Sequence, residues 1–176
     1  MKRHVALVGF MAAGKSTIGR RLARELGCEF YDTDALVVRA HGTVATIFAD
    51  EGEAAFRRYE REAIAQVLSN GEGSVVALGG GALTSSENRA LLAERAHRVF
   101  LKASPEQILA RVQRNRKRRP LLGARPTLDR IRELYHARLP DYAAADHVVE
   151  ARRMSDREVL DDILLWLREK KIAFQR

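Results

Sequence analysis

Cysteine is almost missing from this chain. Cys28 is the only one, so no internal disulfide can form, and its place between Leu26-Gly27 and Phe30 reads as a small hydrophobe, buried or half-buried. No apolar run approaches the roughly 18 residues that suggest a membrane span. Repeats, low-complexity tracts and a linker between independent domains are also lacking. The opening Met1-Lys2-Arg3-His4 leads into an apolar run as a secretory signal would, but no small-residue cleavage site precedes Gly9 to Ser16, which makes chemical sense only if kept. The expectation is a cytoplasmic protein of one domain, since 176 residues are enough for one sizeable core and short for two complete ones.

What is present is strand and helix in alternation. Val5-Ala6-Leu7-Val8 is a short apolar strand, followed by glycines and then a helix on which Ile18, Leu22 and Leu26 share one face, with Gly27 as its C-cap. Phe30 to Asp32 gives a second strand. From Ala35 to Leu68 the pattern is helical with breaks at Gly42 and Gly52, which predicts two or three helices. Ser74 to Leu78 is a strand without polar alternation, suited to the middle of a parallel sheet. A helix from Ser85 or Ser86 and a strand Arg98 to Leu101 follow. Ser104, Pro105 and Gln107 signal another helix start. Thr127 caps a helix that Pro140 is expected to end; His147 to Glu150 is a last strand, and Ser155 with Glu158 opens a final amphipathic helix on which Trp166 reads as a packing residue. The order predicts an α/β fold with a mainly parallel sheet.

Gly9-Phe10-Met11-Ala12-Ala13-Gly14-Lys15-Ser16 fits the P-loop pattern at every position, with a buried-type strand before it and a helix after it. Phosphate oxygens need several donors converging from one side, which a loop wrapped into a helix N-terminus supplies. Glycines let the backbone approach without a clashing Cβ. Lys15 adds a mobile charge for the terminal phosphates, and the Ser16 hydroxyl is placed to ligate magnesium. Thr17 touches a phosphate or simply bonds within its own helix. Phe10 and Met11 read as packing residues on the loop's exterior.

Three further features follow strands or share helix faces. Asp32 and Asp34 end the second strand, and strand alternation would put them on one side, at the carboxyl edge where parallel sheets bind ligands. One carboxylate can hold magnesium through water while the other accepts a hydrogen bond from an attacking hydroxyl. Arg57 and Glu60 share a helix face, as a surface ion pair or as a grip on an anionic substrate. Gly79-Gly80-Gly81 follows a strand, which suits close approach of backbone amides to a ligand, with tight packing as the other reading.

Basic residues outnumber acidic by 31 to 23, a formal charge of +8, compatible with anionic ligands or nucleic acid. Arg111 to Arg119 holds six basic side chains in nine residues, followed by Pro120-Leu121-Leu122-Gly123. RNA-recognition signatures and aromatics arranged for base stacking are lacking, so no nucleic-acid partner is expected. A basic flap over polyphosphate accounts for both the charge and its position, and Arg138 can join it.

Taken together these motifs resemble the shikimate kinase family across nearly the whole chain. The match comprises Gly-Phe-Met-x-x-Gly-Lys-Ser-Thr-Ile-Gly at 9–19, Asp-Thr-Asp at 32–34, Phe-Arg-x-x-Glu at 56–60, Gly-Gly-Gly at 79–81 and Arg-Pro-Leu-Leu at 119–122. The resemblance implies transfer of the ATP γ-phosphoryl group to the 3-hydroxyl of shikimate, with Mg2+, on the route to chorismate and the aromatic amino acids. It implies that Gly9, Ala12, Ala13, Gly14, Lys15, Ser16, Thr17, Arg111 and Arg119 hold ATP, with Arg111 on the adenine side and Arg119 in a lid. Asp34 binds the shikimate hydroxyls, Arg57 and Arg138 its carboxylate, Glu60 supports the site, and Gly79, Gly80 and Gly81 line it. Ser16 and Asp32 serve the metal; Lys15, Asp34 and Arg119 serve catalysis.

The fold implied is the three-layer P-loop kinase fold, a five-stranded parallel sheet flanked by helices. It forms a single kinase domain over 1–176, a monomer, with a helical substrate subdomain near 33–61 and a lid near 112–125. Position 12 departs from the family's usual Gly or other small residue, and Ala12 is tolerable if its backbone angles are ordinary. Alternatives are a P-loop kinase for another hydroxy acid such as gluconate, and a nucleotide-dependent RNA-binding protein.

Overall fold

The computed structural model describes residues 4–114, 120–123 and 125–174. Arg119 and its neighbours 115–118 in the expected lid lie outside the described residues.

The chain runs β1 (His4–Val8), α1 (Lys15–Leu26), β2 (Glu29–Asp32), α2 (Thr33–His41), α3 (Val44–Asp50), α4 (Gly52–Ser69), β3 (Ser74–Ala77), α5 (Ser86–Arg95), β4 (Ala96–Leu101), α6 (Pro105–Arg114), α7 (Leu128–Ala143), β5 (His147–Val149) and α8 (Asp156–Glu169). The five strands form one parallel sheet in the order β2-β3-β1-β4-β5. The apolar runs behave as expected: β1 and β3 are buried at every residue, because helices cover both faces of the sheet's middle. The helical stretch after β2 does break at Gly42 and Gly52, into three helices.

This strand order positions the site. The connection from β1 runs one way along the sheet, to β2, whereas those from β2, β3 and β4 run the other way. Right-handed crossovers therefore put α1 on one face and α4 to α7 on the opposite one, with α8 returning to pack on α1. The two directions part between the carboxyl ends of β1 and β3, leaving a crevice where the loops after those strands meet.

Local sequence fixes the ends of the elements around it. Ser104 and Gln107 exchange the two hydrogen bonds of a capping box at α6 (3.1 and 3.2 Å), and Ser155 with Glu158 does the same at α8. Away from the crevice, His4 Nδ1 and Ser74 Oγ share a buried hydrogen bond of 2.8 Å between β1 and β3.

One boundary differs from expectation. Helix α7 does not end before Pro140 but continues through it to Ala143. Proline removes one backbone donor and disfavours a helix interior, yet the last turn is held from outside, since Arg138 and Tyr142 both bond to the carbonyl of Gly80.

Thr33 joins the fold to the crevice. Fully buried, its hydroxyl donates to Ala77 O (3.4 Å) at the end of β3 and accepts from the Gly79 N–H (3.1 Å). Thr33→Val keeps the shape but strands that amide, so it is expected to lower the unfolding free energy by about 1–3 kcal/mol. Urea unfolding with an unchanged slope checks this.

Candidate active site

The loop after β1 wraps into the start of α1. Gly14, at φ 101°, caps α1 without a side-chain bond, leaving the helix's first amides for a ligand. Gly9 sits so close to β4 that a Cβ there would lie 2.8 Å from Leu101 O. Lys15 is buried, with its ammonium donating to the carbonyls of Gly9 (2.7 Å) and Phe10 (2.8 Å). Phe10 is not on the loop's exterior: it is buried in the core beneath Arg138, whose guanidinium lies 5.5 Å from the ring centroid. Ala13 is also buried, and Thr17 is exposed on the cleft wall.

Ala12 does not have ordinary angles. Its φ of 60° is left-handed, a conformation costing a residue with a Cβ roughly 1–2 kcal/mol, so the departure from glycine stores strain in the loop. Its carbonyl accepts from Arg111 Nη1 at 3.0 Å, which brings that arginine from α6 over the loop.

Asp32 and Asp34 reach the cleft for a reason other than alternation. The strand stops at Asp32, which becomes the N-cap of α2 by accepting from the Ala35 N–H, while Asp34 lies in the first helical turn. Asp32 Oδ2 accepts from Ser16 Oγ at 2.5 Å, tying β2 to the phosphate loop. The Asp34 carboxylate, like that of Glu60, packs directly on the backbone of Gly79.

The three glycines are explained by what lies against them. A Cβ at Gly79 would strike Asp34 and Glu60, one at Gly81 would strike the Arg57 guanidinium, and one at Gly80 would come within 2.8 Å of Met11 N. Arg57 Nη1 donates to Glu60 Oε2 (2.8 Å) and Nη2 to Glu53 Oε1 (3.1 Å). Of the two readings of Arg57 and Glu60, a surface pair is excluded, because Glu60 is only 1% exposed. Arg138 is buried beside them, with Nη1 3.1 Å from Gly80 O.

These groups line one cleft of about 950 Å3 running from Gly14, Lys15, Ser16 and Arg111 to Asp34, Arg57, Glu60, Gly80, Gly81 and Arg138. Val38, Val44, Phe48, Phe56 and Leu121 form its apolar wall. Sequence reasoning missed that wall, and it missed Thr33 and Tyr142. Tyr142 stands one helical turn beyond Arg138, on the far side of the proline expected to end the helix.

Burial raises the Glu60 carboxyl above the ordinary range; Arg57 opposes this and Asp34 adds to it. Burial works against the charge on Arg57, but Glu60 and Glu53 outweigh it and hold the guanidinium firmly protonated. Because the folded pKa of Glu60 lies above its unfolded value, its stabilising contribution is complete below the unfolded pKa and lost as pH rises through the folded one. Wild type is therefore expected to lose stability relative to Glu60→Gln as pH is raised from the carboxylate range towards neutrality. Unfolding free energies across a pH series check this, and a pH-independent difference contradicts it.

A parallel sheet with a P-loop at the crevice and an acid-and-arginine pocket alongside defines a P-loop phosphotransferase acting on a small molecule. The family model for shikimate kinase matches residues 11–168. The shikimate kinase of Symbiobacterium thermophilum is 44% identical over 169 residues, covering 95% of this chain and 95% of that protein. That of Methylococcus capsulatus is 42% identical over 165 residues, covering 93% of this chain and 91% of that protein. The structure of shikimate kinase from Acinetobacter baumannii in complex with shikimate superposes with a TM-score of 0.88 at 35% identity, covering 98% of this chain and 96% of that one. The chain belongs to the shikimate kinase family, ATP-dependent kinases that phosphorylate an alcohol.

Proposed function

We propose that the cleft transfers the γ-phosphoryl group of ATP to the 3-hydroxyl of shikimate, giving ADP and shikimate 3-phosphate for the route to chorismate and the aromatic amino acids. The observation that carries this reading is the meeting of Asp34, Arg57, Glu60 and Arg138 on Gly79 to Gly81, directly beside the phosphate loop. Two arginines and two carboxylates around a glycine turn, one carboxylate fixing an arginine and the other facing the cleft, suit a molecule with one carboxylate and several hydroxyls.

In this reading the loop from Gly9 to Thr17 binds the triphosphate, with Lys15 on its terminal oxygens and Arg111 towards the adenine. Arg57 and Arg138 hold the shikimate carboxylate, and Glu60 fixes the Arg57 guanidinium. Asp34 receives the proton of the attacking hydroxyl. Arg119, the catalytic arginine expected in the lid near 112–125, lies outside the described residues. Residues 33–61 form the substrate subdomain, supported by the small separate core of Val37, Ile47, Phe56 and Ala63.

The hydroxyl of Ser16 and the carboxylate of Asp32 are hard oxygen donors that fit Mg2+, with Ser16 as direct ligand and Asp32 acting through water. Held by Ser16 and Asp32, the ion would supply positive charge against the terminal phosphates. Among the described residues no His, Cys, Asp and Glu side chains cluster to hold a metal by themselves, in keeping with an ion carried in by the phosphates. The cleft is built within one chain, which suits a monomer. Among the described residues no helix is long and apolar enough to cross a membrane, which suits a cytoplasmic setting.

Asp34→Asn is expected to lower kcat at least about 100-fold with the fold intact, the scale of a lost general base. Arg57→Ala is expected to raise the KM for shikimate at least about 30-fold, since it strips one partner from a buried charged pair. A coupled ADP-release assay against shikimate, gluconate and other hydroxy acids, with a magnesium-free control, checks both. Equal turnover of gluconate, or an unchanged KM in Arg57→Ala, would refute the assignment.

A further inference from the structure

Every carbonyl from Gly79 to Thr84 is held by the protein. Gly79 O accepts from Ala82 N (3.1 Å), Gly81 O from Thr84 N and Oγ1 (3.0 and 2.7 Å), and Ala82 O from Asn88 Nδ2 (2.9 Å). Arg89 Nη1 reaches both Leu83 O (2.6 Å) and Thr84 O (3.2 Å). Gly80 O takes two donors, Arg138 Nη1 at 3.1 Å and the Tyr142 hydroxyl. With its acceptor side engaged throughout, the segment has one fixed orientation.

Gly80 is the exceptional member, because one of its donors is also required elsewhere. In the function proposed above, on which this inference rests, Arg138 grips the substrate carboxylate. A guanidinium turning towards a carboxylate gives up or weakens its bond to Gly80 O, and a half-buried carbonyl left short of donors is unfavourable. We propose that Tyr142 is a positioning residue for the acceptor substrate: its phenol keeps the Gly80 carbonyl satisfied and so frees Arg138 to engage the carboxylate.

Three observations support this. Tyr142 is 1% exposed and stacks on Phe100 with centroids 5.2 Å apart, so its hydroxyl has no freedom to wander. Arg138 and Tyr142 lie one turn apart on α7, across Pro140, so one helix face aims both donors at one oxygen. Burial pushes the phenol up to about 12 despite the nearby Arg138, so it remains a protonated donor at every working pH.

Tyr142→Phe removes one oxygen and keeps the ring. Its kinetics are to be measured with shikimate, with the analogue in which the carboxylate is reduced to a primary alcohol, and with ATP as the varied substrate, alongside Tm. The KM for shikimate is expected to rise about 3- to 10-fold, the worth of one neutral hydrogen bond. The KM for the alcohol analogue is expected to stay unchanged, because nothing then draws Arg138 away, and so is the KM for ATP, while Tm falls slightly with the lost tether on α7. An unchanged KM for shikimate overturns the proposal. So does an equal rise for both acceptors, or a joint fall in Tm and ATP affinity, either of which marks Tyr142 as a general prop. Wild type that fails to phosphorylate shikimate removes the underlying function itself, an outcome distinct from an active wild type matched by Tyr142→Phe.

Discussion

The site depends on one close approach, that of Gly80 to Met11, where the backbone after β3 lies against the backbone after β1 with no room for a side chain. In the proposed function the loop after β1 is the phosphate-binding half of the cleft, and the turn after β3 carries the pocket for the second substrate. Parallel β1 and β3 are hydrogen-bonded neighbours, so their carboxyl ends emerge side by side. Because their crossovers leave on opposite faces, no helix fills the space above them. Glycine at 80 closes the remaining gap, bringing the two halves into direct contact.

Around that seam the arrangement is electrostatic. Phosphoryl transfer asks the protein mainly to align two oxygens and to stabilise spreading negative charge. In the proposed function this falls on the donor side to a lysine and helix amides, and on the acceptor side to two arginines that are themselves held: Arg57 by Glu60 and Glu53, Arg138 by Gly80 O. A buried carboxylate such as Glu60 is unfavourable alone. Its benefit is directional, since it fixes a guanidinium that would otherwise be a long, flexible side chain.

Much of this was legible in the sequence because it is written locally. The phosphate loop needs glycines, a lysine and a hydroxyl at fixed spacing between a strand and a helix, and the caps at Ser104 and Ser155 need only their near neighbours. What was not legible depends on distant partners. Asp32 and Asp34 do face the cleft, but not by the alternation expected, since the chain turns into a helix at Asp32. Pro140 was expected to stop α7 because a proline removes a donor; the tethers from Arg138 and Tyr142 to Gly80 are invisible in the helix's own sequence. The left-handed backbone of Ala12 and the burial of Phe10 likewise follow from what packs against the loop, Arg111 above and Arg138 beside it.

If the two halves meet at the Gly80–Met11 seam, the phosphoryl group passes directly from ATP to the acceptor oxygen, with no enzyme side chain carrying it in between. The most direct test is the stereochemical course of the reaction with shikimate and ATP made chiral by isotopic oxygen at the γ-phosphorus. A single in-line displacement predicts inversion at phosphorus. Retention would require a double displacement through a phosphorylated enzyme and would contradict the account.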